Sequence, residues 1–396
     1  MKKIYLHIGC GKTGSSALQL WLNHNANFLE KNGLSYPLFG QKRLGEYDIS
    51  SGNAAGVTNA IMEGKGEEFF TNLLRHINDN QDILLSSEAF QRLNNSQLIE
   101  LKLLFTRLNL EPVIIAYVRD VYDMMYSSYL QLIKRHLYTN TFSNYAILCH
   151  SLQQFSVVRN WHSVFDNIKV IHYDTAKSQL DKSFLEAIDR TNLNVPAINE
   201  NKVNRSLTLQ EAELLRYVNQ LYISRGKGMR EDICSLISDR LIKANPEKQT
   251  PIYYSEKIHQ HIEKVFSKDI DWINNTFFNK EKKLQIFSKE NKYLESTIPE
   301  IDPDYFLFLE TIMQYTESFK FENSNIQDNN SSNLQPLNIN DTRIPDVLRD
   351  AAMERENRDL EEAILFMSVA HILRPTGPVI EKKLHEYLTL RTAQNS

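Results

Sequence analysis

The opening of the chain, MKKIYLHIGCGKTGSSALQL, constrains the fold more than any other stretch. A short apolar run from Ile4 to Ile8 passes into Gly9-Cys10-Gly11-Lys12-Thr13-Gly14-Ser15-Ser16, and a helical pattern of Ala17, Leu18, Leu20 and Trp21 follows. A strand that turns through small residues into a helix presents the helix N-terminus to whatever binds there. Unpaired amides and the helix dipole both favour an anion at that point. Lys12 adds a positive charge, and the hydroxyls of Thr13, Ser15 and Ser16 add donors. The chain is expected to begin with an anion cradle; a glycine- and serine-rich turn of purely structural purpose is the bland alternative.

Residue order within the loop separates one kind of cradle from another. In the nucleoside triphosphatase loop, G-x-x-x-x-G-K-[ST], lysine follows the second glycine. Here Lys12 precedes Gly14, and Ser15 and Ser16 come after it. This Lys-Thr-Gly-Ser-Ser run resembles the 5′-phosphosulfate loop of sulfotransferases that use PAPS (3′-phosphoadenosine 5′-phosphosulfate). A second segment, EPVIIAYVRDVYDMMYSSYL, carries the resemblance further. Val113 to Val118 is a continuous apolar run suited to a strand buried on both faces. It ends at Arg119-Asp120, and Val121, Met124, Met125 and Tyr129 then mark a helix face. Sulfotransferases have a similar strand–arginine–helix unit with a serine eight residues after the arginine, which is Ser127 here. The resemblance implies that Arg119 and Ser127 contact the 3′-phosphate of PAPS. A planar guanidinium and a hydroxyl suit such a compact dianion. A surface arginine and a helix-face serine are the structural alternatives.

Between these segments, Asp82 to Phe90 reads as another buried strand ending in polar residues, with Glu88 at its exit. The resemblance implies that Glu88 is the general base; a glutamate stabilised at a helix N-terminus is the other reading. Ile168 to Tyr173 is a fourth strand, ending in the aromatic-acidic pair Tyr173-Asp174, and a helix is expected around 179–190. Residues 67–78, 96–109, 120–135 and 144–165 carry helical patterns, while 40–66 reads as loop. Strands alternating with helices imply an α/β fold with a mainly parallel sheet flanked by helices.

Further on, Thr208 and Glu211 have capping-box spacing, and Arg205 is a candidate for the 3′-phosphate or for a structural role. Animal cytosolic sulfotransferases have a late Arg-Lys-Gly run that binds the same phosphate; Arg225-Gly226-Lys227-Gly228 looks similar but falls between helical patterns, and no counterpart is assigned. Residues 209–320 read as mostly helical, with Asp304 to Phe319 amphipathic. Asn323 to Asn340 is too polar to bury a core. The expected organisation is an α/β domain over 1–320, a linker over 321–341 and a helical hairpin over 342–396 that loosely resembles a tetratricopeptide repeat. A lone repeat cannot bury its own face, so the hairpin is expected to cap the main domain or to meet a partner or second subunit.

Composition excludes several classes. A net charge of −4 argues against a general nucleic-acid binder, and Lys134-Arg135-His136 is a local basic cluster. Cys10, Cys149 and Cys234 form no metal-ligand spacing or disulfide framework, which fits a reducing, cytoplasmic setting. Cys10 reads as a small filler within the loop. No signal peptide or membrane-spanning run is visible. The richness in Asn, Lys and Ile hints at an AT-rich bacterial genome.

The resemblance therefore implies an enzyme that moves a sulfuryl group from PAPS to a hydroxyl or amine, releasing adenosine 3′,5′-bisphosphate, without a metal. Gly11, Lys12, Thr13, Gly14, Ser15 and Ser16 would hold the phosphosulfate, with Lys12 also stabilising charge on the bridging oxygen and Glu88 taking the acceptor's proton. The acceptor expected is a glycan or glycolipid precursor, or a small alcohol. A P-loop kinase or other NTPase and a non-catalytic nucleotide-binding scaffold are the rivals.

Overall fold

The structure is a computed structural model that describes residues 1–39, 50–196, 205–224, 237–239, 241–242, 252–278, 283–287, 293–294, 344–356, 360–374 and 376–394. These fall into two compact units, Met1–Ile301 and Asp302–Ser396. In the first, five strands form one sheet: β1 (Lys2–His7), β2 (Leu34–Ser35), β3 (Asp82–Ser86), β4 (Leu110–Val118) and β5 (Ile168–His172). They lie in the order β2-β3-β1-β4-β5, and every neighbouring pair is parallel.

Parallel neighbours need crossover connections, which helices supply. Helices α1 (Ser15–His24) and α2 (Ala26–Lys31) link β1 to β2, and α3 (Ala55–Met62) and α4 (Gly66–His76) link β2 to β3. Helix α5 (Asn95–Arg107) precedes β4, and α6 (Val121–Arg135), α7 (Phe142–Leu148) and α8 (Gln153–Val164) precede β5. After β5 come α9 (Tyr173–Ala176), α10 (Leu180–Ala187), α11 (Leu209–Ser224) and α12 (Glu256–Phe277), and a small parallel pairing of β6 (Ile252–Tyr253) with β7 (Tyr293–Leu294).

The sheet is covered on both faces, and alternation along each strand decides which face a residue serves. Ile4, Leu6, Ile83, Leu85, Ile114 and Ala116 pack with Leu98, Phe105, Met125 and Trp161 of the helices on one side. Tyr5, Leu84, Val113, Ile115 and Tyr117 pack with Leu18, Trp21, Leu22 and Phe184 on the other. Because all strands point one way, the residues after β1, β3, β4 and β5 emerge along one edge, where ligands of open α/β sheets bind.

Some local expectations are corrected. The stretch read as loop over 40–66 contains α3, and the single helix expected over 144–165 is two, α7 and α8. Thr141 accepts the Asn144 N–H at 3.3 Å and starts α7 early, while Cys149 and Leu152 are extended and interrupt the helix. The Thr208–Glu211 cap is present: Glu211 N–H donates to Thr208 Oγ1 at 3.2 Å, and Thr208 N–H donates to Glu211 Oε2 at 2.9 Å.

In the second unit the described residues form three helices rather than the hairpin expected, α13 (Ile344–Arg355), α14 (Leu360–Leu373) and α15 (Pro378–Gln394). They share a core of Ala352, Phe366, Met367, Ile380 and Tyr387, and Arg374 grips Asp346 through two bonds of 2.9 and 3.0 Å. The expected linker over 321–341, the Asp304–Phe319 helix, Arg225–Gly228 and Cys234 lie outside the described residues. Among the described residues, no helix is long and apolar enough to cross a membrane.

His7 has no solvent exposure; its Nδ1 lies 2.8 Å from Ser86 Oγ, and the rings of Tyr117 and Phe184 meet it edge-on. Burial lowers its pKa to about 4. As pH falls from about 6.5 towards about 4, the unfolded chain takes up a proton that the folded chain refuses, so stability is lost through that window and is flat above it. The expected loss is about 3 kcal/mol. Urea unfolding should show the gap between wild type and His7→Phe changing by about that amount between roughly pH 7 and pH 4; a constant gap would refute the buried neutral imidazole.

Candidate functional site

The loop between β1 and α1 enters left-handed backbone at Gly9 (φ 39°), Lys12 (φ 66°) and Gly14 (φ 75°). Gly14 is the cap residue of α1, and a Cβ there would lie 2.8 Å from the Tyr173 ring and 2.9 Å from Leu180. At Gly11 nothing lies within 4 Å of an added Cβ, so that side of the loop is open. The Thr13 hydroxyl donates to the Cys10 carbonyl and closes the turn. No side chain caps α1, and its first turn holds no acidic residue. Helix α6 is treated differently: the Gln285 and Ile286 carbonyls accept the N–H groups of Val121 and Tyr122 at 3.2 and 2.6 Å. Of these two helix starts, only that of α1 is left suited to an anion.

Lys12 Nζ donates to Gln131 Oε1 on α6 at 2.7 Å. Burial draws the lysine pKa down to about 8; Glu88 opposes that shift, and Lys134, Arg135 and Arg119 add to it. Glu88 opens a single 3-10 turn, Glu88–Arg92, directly after β3, and Ser87 Oγ accepts the Ala89 N–H at 3.1 Å to cap that turn. Glu88 Cγ and Ser15 Oγ each lie 3.1 Å from where a Cβ of Gly9 would be, so the bare Gly9 lets both close on the loop. Glu88 is solvent-accessible, yet surrounding protein raises its pKa above the ordinary carboxylate range, and Lys12 and the Ser15 hydroxyl pull it back.

Arg119 follows β4 and reaches the loop. Its guanidinium donates to the Lys12 carbonyl at 3.3 Å and to Asp174 Oδ1 at 3.4 Å, and lies 5.4 Å over the Tyr173 ring. Gln154 brackets its backbone, accepting the Arg119 N–H at 2.9 Å and donating to the Arg119 carbonyl at 3.0 Å. Asp174 also accepts the Asp120 N–H at 3.0 Å and has Lys177 at 3.6 Å. Asp120 Oδ1 meets His172 Nε2 at 3.0 Å and accepts the Gln285 N–H at 2.7 Å. Asp120, His172 and Asp174 are buried, with ligand atoms within 4.8 Å of one another, so their donor types suit a metal ion. Arg119, Lys177 and two backbone amides already occupy those carboxylates, which makes the cluster a seat for Arg119.

The structure thus brings Gly11, Lys12, Thr13, Gly14, Ser15 and Ser16 together with Arg119 and Glu88. Ser16 is exposed, and Ser127 is half-buried on α6, one turn before Gln131. Arg205 is committed elsewhere, in a buried pair with Glu211 whose two bonds measure 2.7 and 2.9 Å. Cys10 is buried, and its thiol is pushed up to about 12, as befits a filler. Gln131 and Gln154 escaped the sequence reading because uncharged amides on helices give no periodic signal. Tyr173-Asp174 was visible as a strand-end pair, though not as the partner of Arg119.

No protein-family model matches the chain, and no curated protein matches it. The chain is similar to the solved structure of a sulfotransferase from Alicyclobacillus acidocaldarius, at 11% identity and a TM-score of 0.31, over 61% of this chain and 96% of that one. It is also similar to the sulfotransferase domain from the curacin biosynthetic pathway, at 13% identity and a TM-score of 0.32, over 66% and 96% of the two chains.

The two loop glycines should respond differently to substitution. Gly14→Ala meets Tyr173 and Leu180 at positive φ and should cost about 1–3 kcal/mol in thermal unfolding, whereas Gly11→Ala should stay within about 0.5 kcal/mol. Equal losses would contradict the loop geometry.

Proposed function

We propose that the chain is a PAPS-dependent sulfotransferase, transferring a sulfuryl group to a hydroxyl or amine of an acceptor such as a glycan, a glycolipid precursor or a small alcohol. One observation carries this reading: a strand-end arginine, Arg119, bonds the Lys12 carbonyl in the loop that leads into the uncapped start of α1. The open flank at Gly11 and the free start of α1 fit a phosphosulfate group. In this assignment the α1 amides, Ser15 and Ser16 hold the 5′-phosphate, and Arg119 and Ser127 take the 3′-phosphate. Arg205 is left out, because Glu211 engages both terminal nitrogens of its guanidinium.

PAPS, when bound, supplies an activated sulfuryl group. Lys12 would place its ammonium against charge that grows on the leaving phosphate. Glu88 would accept the acceptor's proton, and its raised pKa makes it a stronger base than a free carboxylate. The protein's share is positioning and electrostatics. A kinase or other NTPase would instead bind ATP with Mg²⁺.

Adenosine 3′,5′-bisphosphate should raise the melting temperature of wild type by mass action and should fail on Arg119→Ala. Stabilisation by ATP with Mg²⁺ alone would replace this reading with the kinase one. Glu88→Gln should keep bisphosphate binding and lose about 10²–10⁴ in kcat; full activity would remove Glu88 as the base. Lys12 loses its proton as pH rises through about 8, so bisphosphate affinity by calorimetry should weaken across that range and stay level in Lys12→Arg.

A further inference from the structure

Strand β2 is only two residues long and pairs with β3 at Asp82 and Ile83. Among the described residues, the outer edge of β3 from Leu84 to Ser86 therefore has no strand beside it, although Leu84 and Ser86 are completely buried. Unpaired backbone groups there would be costly. The side chain of Asn53 takes them up. Its Oδ1 accepts the Ser86 N–H at 2.8 Å, and its Nδ2 donates to the Leu84 carbonyl at 3.1 Å and to the Pro37 carbonyl at 3.0 Å. The next residue completes the ladder, with Ala54 N–H donating to the Ser86 carbonyl at 3.2 Å. Asn53 is 2% exposed.

The residues around it hold the same exit. Gly52 has φ 77°, and a Cβ there would run into the Ser86 carbonyl. The Ser87 hydroxyl donates to the Ser51 carbonyl at 3.3 Å, and from the other side Ser87 N–H donates to the His7 carbonyl at 3.1 Å. Two residues past Ser86 stands Glu88.

We infer that Asn53 is a positioning residue for Glu88, its carboxamide standing in for the strand that β2 lacks and fixing where β3 delivers the carboxylate beside the anion loop. The catalytic part of the inference rests on the sulfotransferase reading; the positioning part does not. Asn53 lies in the connection between β2 and β3, while the nucleotide cradle is built from β1, α1 and β4. Loss of Asn53 should therefore disturb Glu88 and spare nucleotide binding.

The test uses the full chain labelled with carboxyl-¹³C glutamate, with the Glu88 resonance assigned by its absence in Glu88→Gln. Asn53→Ala and the milder Asn53→Ser, which keeps one hydroxyl, are compared with wild type. In a folded variant the Glu88 titration midpoint should move by at least about half a unit towards the ordinary carboxylate value. Bisphosphate affinity should stay within about twofold, and kcat should fall about tenfold to a hundredfold with little change in KM. A lowered melting temperature with unchanged Glu88 titration and kcat would mean that Asn53 is only structural, and would overturn the inference. A shifted titration in a protein whose wild type transfers no sulfuryl group would uphold the positioning and sink the functional reading. Active wild type with unaltered Asn53 variants would do the reverse.

Discussion

Two carboxylates are buried at the carboxyl ends of β4 and β5, and the partners that satisfy them set the geometry of that edge. Asp120 and Asp174 are 2% and 3% exposed, and such charges are costly unless paired and hydrogen-bonded. Asp174 is met by Arg119, Lys177 and the Asp120 amide; Asp120 is met by His172 and the Gln285 amide. Gln285 is held in turn, because Asn274 of α12 brackets Leu284 with bonds of 2.9 and 2.7 Å. The chain of contacts runs from α12 through Asp120 and Asp174 to Arg119, and from Arg119 to the Lys12 carbonyl. A loop near the N-terminus thus takes its position from residues more than two hundred and fifty places later.

What could be read from the sequence was local. The alternation and apolar runs of β1, β3, β4 and β5 give the parallel sheet, and Gly14 with the hydroxyls behind it marks the start of α1. The Thr208–Glu211 cap is legible because both partners fall within one turn. What was hidden was side-chain bonding to distant backbone. Asn53 sits 33 residues from the Ser86 amide it pairs with, inside a stretch whose Gly, Ser and Asn content reads as loop. Arg205 looked like a phosphate ligand by its position, but its partner Glu211 was read only as a cap. Gln131 meets Lys12 across 119 residues and carries no charge to betray it.

The site divides its work between strands. The proposed cradle comes from β1 and α1 with Arg119 from β4, while Glu88 comes from β3, closes on the loop at Gly9 and Ser15, and feels the charge of Lys12. This division has an electrostatic consequence. Lys12 and Glu88 are each pushed towards neutrality by burial and each pulled back by the other. An anion arriving in the loop would strengthen the lysine's hold on its proton and would oppose the charge on the glutamate. The ammonium would then be more fully charged and the carboxylate more basic than in the empty protein. On the proposed sulfotransferase reading, both changes would favour removing a proton from a neighbouring hydroxyl only once the anion is in place, so the charge of the ligand itself would prepare Glu88 as the base.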